Sequence, residues 1–145
     1  MYRIKKGSVL TERQITAYIE KHNAERIHLQ KLKDYYLGRQ DILNRQMADK
    51  SKPNNKIVNP YANYITDTFV GFFMGEPVSY KSTKENEDYL LKIQSIFNYN
   101  DEQEENAELA KDSSIYGAAY ELLYLDEDTQ IRFKPLNPIE IIPIF

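Results

Sequence analysis

The sequence predicts an α+β protein that is mainly α-helical and carries one small antiparallel β element. Apolar residues three and four positions apart fill most of the first 116 residues and favour a series of amphipathic helices. Two β-prone runs around a short polar turn follow these helices and predict a hairpin. The 145 residues, 41% of them hydrophobic, are enough for one folded domain.

The first helix is predicted over about residues 12–37. Thr11 is placed to cap it, because Gln14 three residues later completes the pattern of a capping box. Its apolar stripe is interrupted by charged residues, which predicts a long surface helix with one modest buried face. Gly38 is expected to end the helix.

The second helix is predicted from Pro60 to Met74. Asn59 before Pro60 is typical of a helix start, since Asn caps free N–H groups and Pro tolerates the first helical position. One face of this helix is apolar and carries Tyr61, Ile65, Phe69, Phe72 and Phe73. Gly75 and Pro77 should stop the helix, and residues 78–80 alternate as a short strand would.

Two further helices and a hairpin complete the predicted elements. Ser82-Thr83-Lys84-Glu85 has the pattern of a second capping box and opens a helix that ends at about Tyr99. Asn100-Asp101 is expected to cap the next helix, over residues 102–116, and Gly117 to mark its end. The hairpin is predicted from residues 120–125 and 130–134, with residues 126–129 as its turn.

The last residues form an apolar tail that Pro135, Pro138 and Pro143 punctuate. A free end of this kind would be an exposed apolar edge, which soluble proteins usually avoid. Either the tail docks in the core or the chain is cut from something longer, and we expect truncation at the C-terminus. Residues 1–10 are expected to be a flexible arm, and residues 11–145 a single domain.

Charge is divided between the two ends of the chain. Residues 1–56 carry 13 Lys/Arg against 6 Asp/Glu, a net of +7, whereas residues 57–145 carry 6 against 16, a net of −10. This division suits pairing within the molecule or head-to-tail contact between subunits. Two differently solvated faces of one domain would also explain it.

The residue types argue against a chemical site. There is no cysteine, the two histidines lie six positions apart on one predicted helix, and the five glycines are scattered rather than gathered in a phosphate loop. The acidic cluster at 101–108 is explained by helix capping, and residues 126–128 lack the Gly and terminal Glu of a calcium loop. We therefore expect no catalytic, cofactor-binding or metal-binding residues, and no enzyme. Membrane-spanning and signal segments are also absent from the sequence pattern.

The basic segment 1–56 leaves one alternative open. Its Lys and Arg residues at 39, 45, 50, 52 and 56, next to Tyr35 and Tyr36, could contact phosphates, as in a stand-alone nucleic-acid-binding or adaptor module. Against this, the positive residues are spaced apart, the pI is about 5.5, and no nucleic-acid-binding motif is present.

Four segments, in this order and spacing, carry a family resemblance. They are Tyr35-Tyr36-Leu37-Gly38-Arg39-Gln40-Asp41-Ile42 with Arg45 beyond, Asn54-Asn55-Lys56-Ile57-Val58-Asn59, Gly71-Phe72-Phe73-Met74-Gly75-Glu76-Pro77-Val78-Ser79-Tyr80, and Ser114-Ile115-Tyr116-Gly117-Ala118-Ala119-Tyr120-Glu121. Together they resemble the N-terminal part of the portal proteins of tailed phages, of the kind common in phages and prophages of Gram-positive bacteria. The resemblance covers about residues 10–145.

The resemblance implies a structural protein of the virion that is present in the host cytoplasm during assembly. Portal subunits form a dodecameric ring at one capsid vertex, the head-tail connector, through which DNA is packaged by the terminase and later ejected. The implied partners are other portal subunits and a capsid or scaffold protein, with terminase and DNA contacted through parts missing here. The segment would correspond to the wing of the subunit, and the aromatic face at residues 61–73 would be its packing centre.

Overall fold

A computed structural model describes residues 3–5, 7–83 and 86–144 and confirms the α+β prediction. Four α-helices precede an antiparallel hairpin in this part of the chain. In chain order the elements are α1 (Glu12–Tyr36), a short 3₁₀ helix (Asp41–Asn44), α2 (Tyr61–Phe73), α3 (Glu87–Tyr99), α4 (Glu102–Tyr116), β1 (Tyr120–Leu125) and β2 (Ile131–Leu136).

Helix α1 begins and ends as the sequence predicts. The backbone N–H of Thr11 donates to Oε1 of Gln14 at 3.0 Å, and the N–H of Gln14 donates back to Oγ1 of Thr11 at 3.4 Å, so the capping box is present. Gly38 has a φ of 75°, and its N–H donates to the carbonyl of Tyr35. This left-handed residue lets the following N–H groups satisfy the last carbonyls of the helix.

The apolar tail docks against α1. His22 is buried on this otherwise exposed helix, and its Nε2 lies 3.0 Å from the carbonyl oxygen of Ile139. Because a carbonyl oxygen only accepts, Nε2 must carry the proton in this bond. Pro138 and Ile139 are themselves buried. The tail therefore docks against α1 at Pro138 and Ile139, and the expected truncation at the C-terminus stays a prediction.

Two predictions at the ends of α2 are wrong. Pro60, not Asn59, is the N-cap, and no side chain caps the helix. Asn59 contributes its carbonyl instead, which accepts from the N–H of Tyr61 at 2.8 Å and from Nε2 of Gln40 at 2.6 Å. After the helix, residues 78–80 form no strand, since no neighbouring strand lies beside them in the described part of the chain.

Gly75 is required by the exit from α2. A Cβ built on this residue would lie 2.2 Å from the carbonyl oxygen of Gly71, closer than any real side chain approaches. The chain therefore folds back over the last turn of the helix at a distance that only glycine permits.

The connection into and out of α3 also departs from the sequence prediction. Helix α3 starts at Glu87, after the predicted capping box, and Lys84 and Glu85 of that box lie outside the described residues. Asp101 precedes α4 with a φ of 51°, and its side chain makes no capping bond, so the predicted Asn100-Asp101 side-chain cap is wrong. Asn100 is instead committed to α3 and the hairpin, because its Nδ2 donates to the carbonyls of Ile96 and Ile131.

The predicted hairpin is confirmed. Strands β1 and β2 pair antiparallel, from Tyr120 opposite Leu136 to Leu125 opposite Ile131. In the connecting turn, Oδ1 of Asp126 accepts from the N–H groups of Asp128 at 3.0 Å and Gln130 at 2.8 Å. This carboxylate organises the turn, because it takes the place of a backbone acceptor for two donors.

The packed centre of the molecule lies where α4 contacts α2 and α1, with β2 against α4. Its buried residues are small or polar, as Ala110 of α4 and Thr66 of α2 show. Oγ1 of Thr66 lies 3.2 Å from Oγ of Ser114, and the hydroxyl of Tyr36 donates to Asp67 at 3.0 Å. Burial, followed by the bond to Asp67, raises the pKa of Tyr36. Polar bonds thus join all three helices at close range.

Candidate functional site

The loop between α1 and α2 is closed by its own polar side chains. Nε of Arg45 donates to Oδ1 of Asn54 at 3.1 Å, and Nδ2 of Asn54 donates to the carbonyl of Arg45 at 3.1 Å. Nζ of Lys56 donates to the carbonyl of Leu43 at 2.6 Å. The structure therefore brings together the first two of the four segments that carry the family resemblance.

These contacts involve basic residues that the sequence left open as phosphate ligands. Arg45 and Lys56 are engaged within the loop, Nη1 of Arg39 lies 3.7 Å from Asp34, and Nζ of Lys52 lies 3.7 Å from Asp49. Four of the five positive residues weighed as phosphate ligands thus contact groups of their own chain. Their positions fit loop closure better than a nucleic-acid-binding surface.

An open cleft lies between residues 77–80, the end of α3 and the start of α4. The ring of Tyr80 lies against that of Phe97, with centroids 4.8 Å apart and planes tilted by 41°, and its hydroxyl donates to Oε1 of Glu102 at 2.5 Å. That hydrogen bond is the main cause of the raised pKa of Tyr80. The tyrosine is held as a phenol that pins the extended segment to the helices.

The described residues contain no group of three or more His, Cys, Asp and Glu side chains that could hold a metal ion. His22 bonds to the carbonyl of Ile139, and His28 is exposed. None of the helices in the described ranges is long and apolar enough to cross a bilayer.

The largest departure from the sequence prediction is the aromatic face of α2, defined by Tyr61, Tyr64, Ile65, Phe69, Phe72 and Phe73. The prediction that this face is the packing centre is wrong. Its side chains are 46–92% exposed, and Phe72 is 92% exposed. The opposite face of α2, with Thr66 buried and Val70 half-buried, is the one that packs against the other helices.

The hairpin is the second exposed apolar region. Leu123 and Leu125 of β1 are 65% and 62% exposed, and Leu122, Tyr124 and Ile131 are also exposed. The two strands differ at their outer edges. The outer edge of β2 is closed by Asn100, which donates to the carbonyl of Ile131 and accepts from the N–H of Phe133 at 3.4 Å. We find no equivalent group along β1 in the described part of the chain.

The total accessible surface of the chain is larger than its mass predicts. The chain exposes 11594 Å². A compact monomer of 17.1 kDa is expected to expose about 7,800 Å². Exposed apolar patches beyond a few hundred Å² are typical of protein interaction sites, so the aromatic face of α2 and the hairpin are the candidate functional surfaces of the described residues.

Sequence reasoning missed two of the residues that shape these surfaces. Asn100 contacts β2 from 31 and 33 positions away, and no local pattern reports a contact of that separation. The bond from Tyr36 to Asp67 spans 31 positions and was missed for the same reason. Of the four resembling segments, the structure joins the first two, while the third and fourth lie at the ends of α2 and α4.

Residues 15–145 match the model of the family described as phage portal protein, SPP1 Gp6-like. No curated protein sequence matches the chain.

Proposed function

We propose that this chain, which belongs to the SPP1 Gp6-like family of phage portal proteins, is a structural part of the head-tail connector. The connector is the ring through which phage DNA is packaged and later ejected. The family match over residues 15–145 is the observation that carries this proposal. It spans all four segments in which the resemblance to portal proteins was recognised.

The role we propose is assembly and not catalysis. Its support is the exposed surface of the molecule, where the aromatic face of α2 and the hairpin present large apolar side chains to solvent. Residues 11–145 act as one wing-like domain in this proposal, with residues 1–10 as an arm. The net of +7 in residues 1–56 and of −10 in residues 57–145 favours head-to-tail contact of identical subunits in a closed ring.

The partners in this proposal are other portal subunits, a dodecamer in the resembling family, and a capsid or scaffold protein. Terminase and DNA would be met through the assembled connector. The protein would reside in the virion, after assembly in the host cytoplasm.

The proposal is tested in a phage or prophage that encodes this protein. Gold-labelled antibody against the chain should mark a single vertex of purified particles. Deleting the coding region should abolish DNA-filled heads, and a plasmid copy should restore them. DNA-filled, infectious particles without the protein would show that it is not the connector.

A salt titration addresses the alternative of a nucleic-acid-binding module. The connector role predicts weak binding of the isolated chain to duplex DNA. Submicromolar affinity with a steep dependence on salt would instead favour phosphate contacts by residues 1–56.

A further inference from the structure

The two outer edges of the hairpin are not equivalent. The turn bond from the N–H of Asp126 to the carbonyl of Gln130, together with the register, fixes which residues bond across the hairpin. Tyr124 and Leu122 point their peptide groups inward to β2. Glu121, Leu123 and Leu125 therefore point their N–H and C=O groups away from β2, along the outer edge of β1.

The outer edge of β2 is closed in two ways. Asn100, which is 5% exposed, supplies a donor to the carbonyl of Ile131 and an acceptor to the N–H of Phe133, as a neighbouring strand would. Pro135 has no N–H to offer at the next outward position. No strand can add to this side without displacing Asn100.

The outer edge of β1 has none of these protections. No hydrogen bond within the described part of the chain reaches the outward groups of Glu121, Leu123 and Leu125. The strand contains neither Lys nor Pro, and its leucines are largely exposed. Soluble proteins blunt such edges, because a row of free peptide groups beside apolar side chains is a template for another strand. An added β-strand offers donors and acceptors at the spacing of this edge over its whole length.

The chain also displays a segment with the properties of that strand. Residues 77–82 are exposed, and their backbone groups make no hydrogen bond with any described residue. The segment has six residues, as β1 does, and its Val78-Ser79-Tyr80 sequence alternates as a strand would. Lys81 is the segment's one charged side chain, and Glu121 is the one on β1, so the two are electrically complementary.

The segment cannot reach β1 of its own molecule from its present position. The ring of Tyr80 contacts that of Phe97, and Phe97 packs edge-on against Phe133 of β2 with centroids 6.2 Å apart. Residues 77–82 therefore lie on the β2 side of the hairpin, whose edge Asn100 closes. The same segment of another molecule is not held away from the free edge in this way.

We propose that the outer edge of β1 accepts residues 77–82 of a second copy of this chain as an added strand. Each copy then gives one strand and accepts one, which is a heterologous contact that closes into a ring or continues as a filament. The choice of a second copy as the occupant rests on the proposed connector function, which places identical subunits side by side.

Two variants test separately the segment that gives a strand, residues 77–82, and the surface that accepts it, the outer edge of β1. Leu123→Pro removes an outward N–H and places a proline ring at the edge of β1, while the inward bonds of Leu122 and Tyr124 remain. The double variant Lys81→Pro/Ser82→Pro blocks residues 77–82 as an added strand. Of two adjacent residues in a strand, one points its N–H towards β1, so one of the two prolines always removes a bonding N–H. Tyr80 and its contact with Phe97 are left in place. Leu123→Thr keeps the N–H and serves as the matched control. Circular dichroism and thermal unfolding verify that each variant is folded, and Leu123→Lys replaces Leu123→Pro where that proline prevents folding.

The measurement is sedimentation equilibrium of the 145-residue chain up to millimolar concentration. We expect the wild type to associate beyond a dimer, and each blocked variant to associate on the order of tenfold more weakly or not at all, because two to three backbone hydrogen bonds are lost. An equimolar mixture of the two blocked variants retains one intact contact and should form a heterodimer that grows no further. Leu123→Thr should still associate.

Several results would overturn the proposal. A wild type that stays monomeric at millimolar concentration, blocked variants that associate like the wild type, or a mixture that stays monomeric each contradict it. Loss of association with Leu123→Pro alone would show that β1 pairs with β1 of the neighbour and that the assignment of residues 77–82 is wrong. The connector function is judged separately by the antibody label on particles, so the two proposals can fail independently.

Discussion

The two faces of α2 differ in burial, and the difference is the opposite of what their composition predicts. The packed face is built from small and polar side chains, among them Thr66, and it makes close contact with α4 through Ser114. The opposite face carries six large apolar side chains, and all six are exposed. The more hydrophobic face of this helix is therefore the one that the molecule leaves open.

The difference teaches that the large apolar side chains of α2 do not fill the core that the described residues form. Small residues at the α2–α4 contact let the helices approach closely, so few large side chains fit between them. The six residues of the aromatic face expose on the order of 700 Å², which approaches one side of a standard protein interface. The inner face makes the domain, and the outer face is available for assembly.

The largest expected effect tests the close approach at the end of α2. Gly75→Ala should destabilise the chain by about 3 kcal/mol, because the added Cβ meets the carbonyl oxygen of Gly71 and backbone must move to relieve the clash. Gly71→Ala is the matched control, since nothing lies within 4 Å of its added Cβ. It should stabilise the helix by up to about 1 kcal/mol. Urea unfolding gives both values, and equal effects at the two glycines would show that the fold-back is not held tightly.

The next prediction concerns the packed face itself. Ala110→Leu should cost about 2 kcal/mol, because Ala110 is buried and the closely packed helices leave no room for three more carbon atoms. Ala24→Leu places the same change on an exposed position of α1 and should be nearly neutral. Thermal unfolding of the two variants measures the difference. A neutral Ala110→Leu would mean that the contact between these helices is loose.

A smaller effect depends on pH. Burial raises the pKa of Asp112 in α4, and Glu108 raises it further. A carboxyl whose folded pKa lies above its unfolded value binds more protons in the folded state, so stability falls as pH rises from about 4 through the folded pKa. Solvent screens this partly exposed group, so Asp112→Asn should stabilise the chain by no more than about 0.5 kcal/mol at pH 7, partly by relieving the charge near the C-terminal end of the helix. The gain should vanish at pH 3, and an unchanged gain there would exclude a charge effect.

The smallest effect is expected on the open face. Phe72→Ser should change the free energy of unfolding by less than about 0.5 kcal/mol, because Phe72 is 92% exposed. The same variant should reduce binding of a hydrophobic dye to the folded chain. A loss of stability as large as that expected for Ala110→Leu would show that Phe72 is covered in the monomer, and the contrast between the two faces would fail.

Local signals were read correctly from the sequence, and long-range ones were not. The capping box of Thr11 and Gln14, the end of α1 at Gly38 and the hairpin all depend on residues within a few positions of one another. Periodicity located α2 but could not tell which of its faces meets the rest of the chain, because an apolar stripe serves an internal and an external contact equally well. The edge cap by Asn100 was missed because its partners lie about 30 residues away.

Asn100 also makes the fold sensitive to deamidation. Its amide nitrogen donates to the carbonyls of Ile96 and Ile131, so hydrolysis of the amide, which takes up water and releases ammonia, would leave a charged oxygen facing two other oxygens. Asparagine is among the thermolabile residues, and its shielding from water is what delays that reaction here. A deamidated subunit would repel its own hairpin and open the edge of β2.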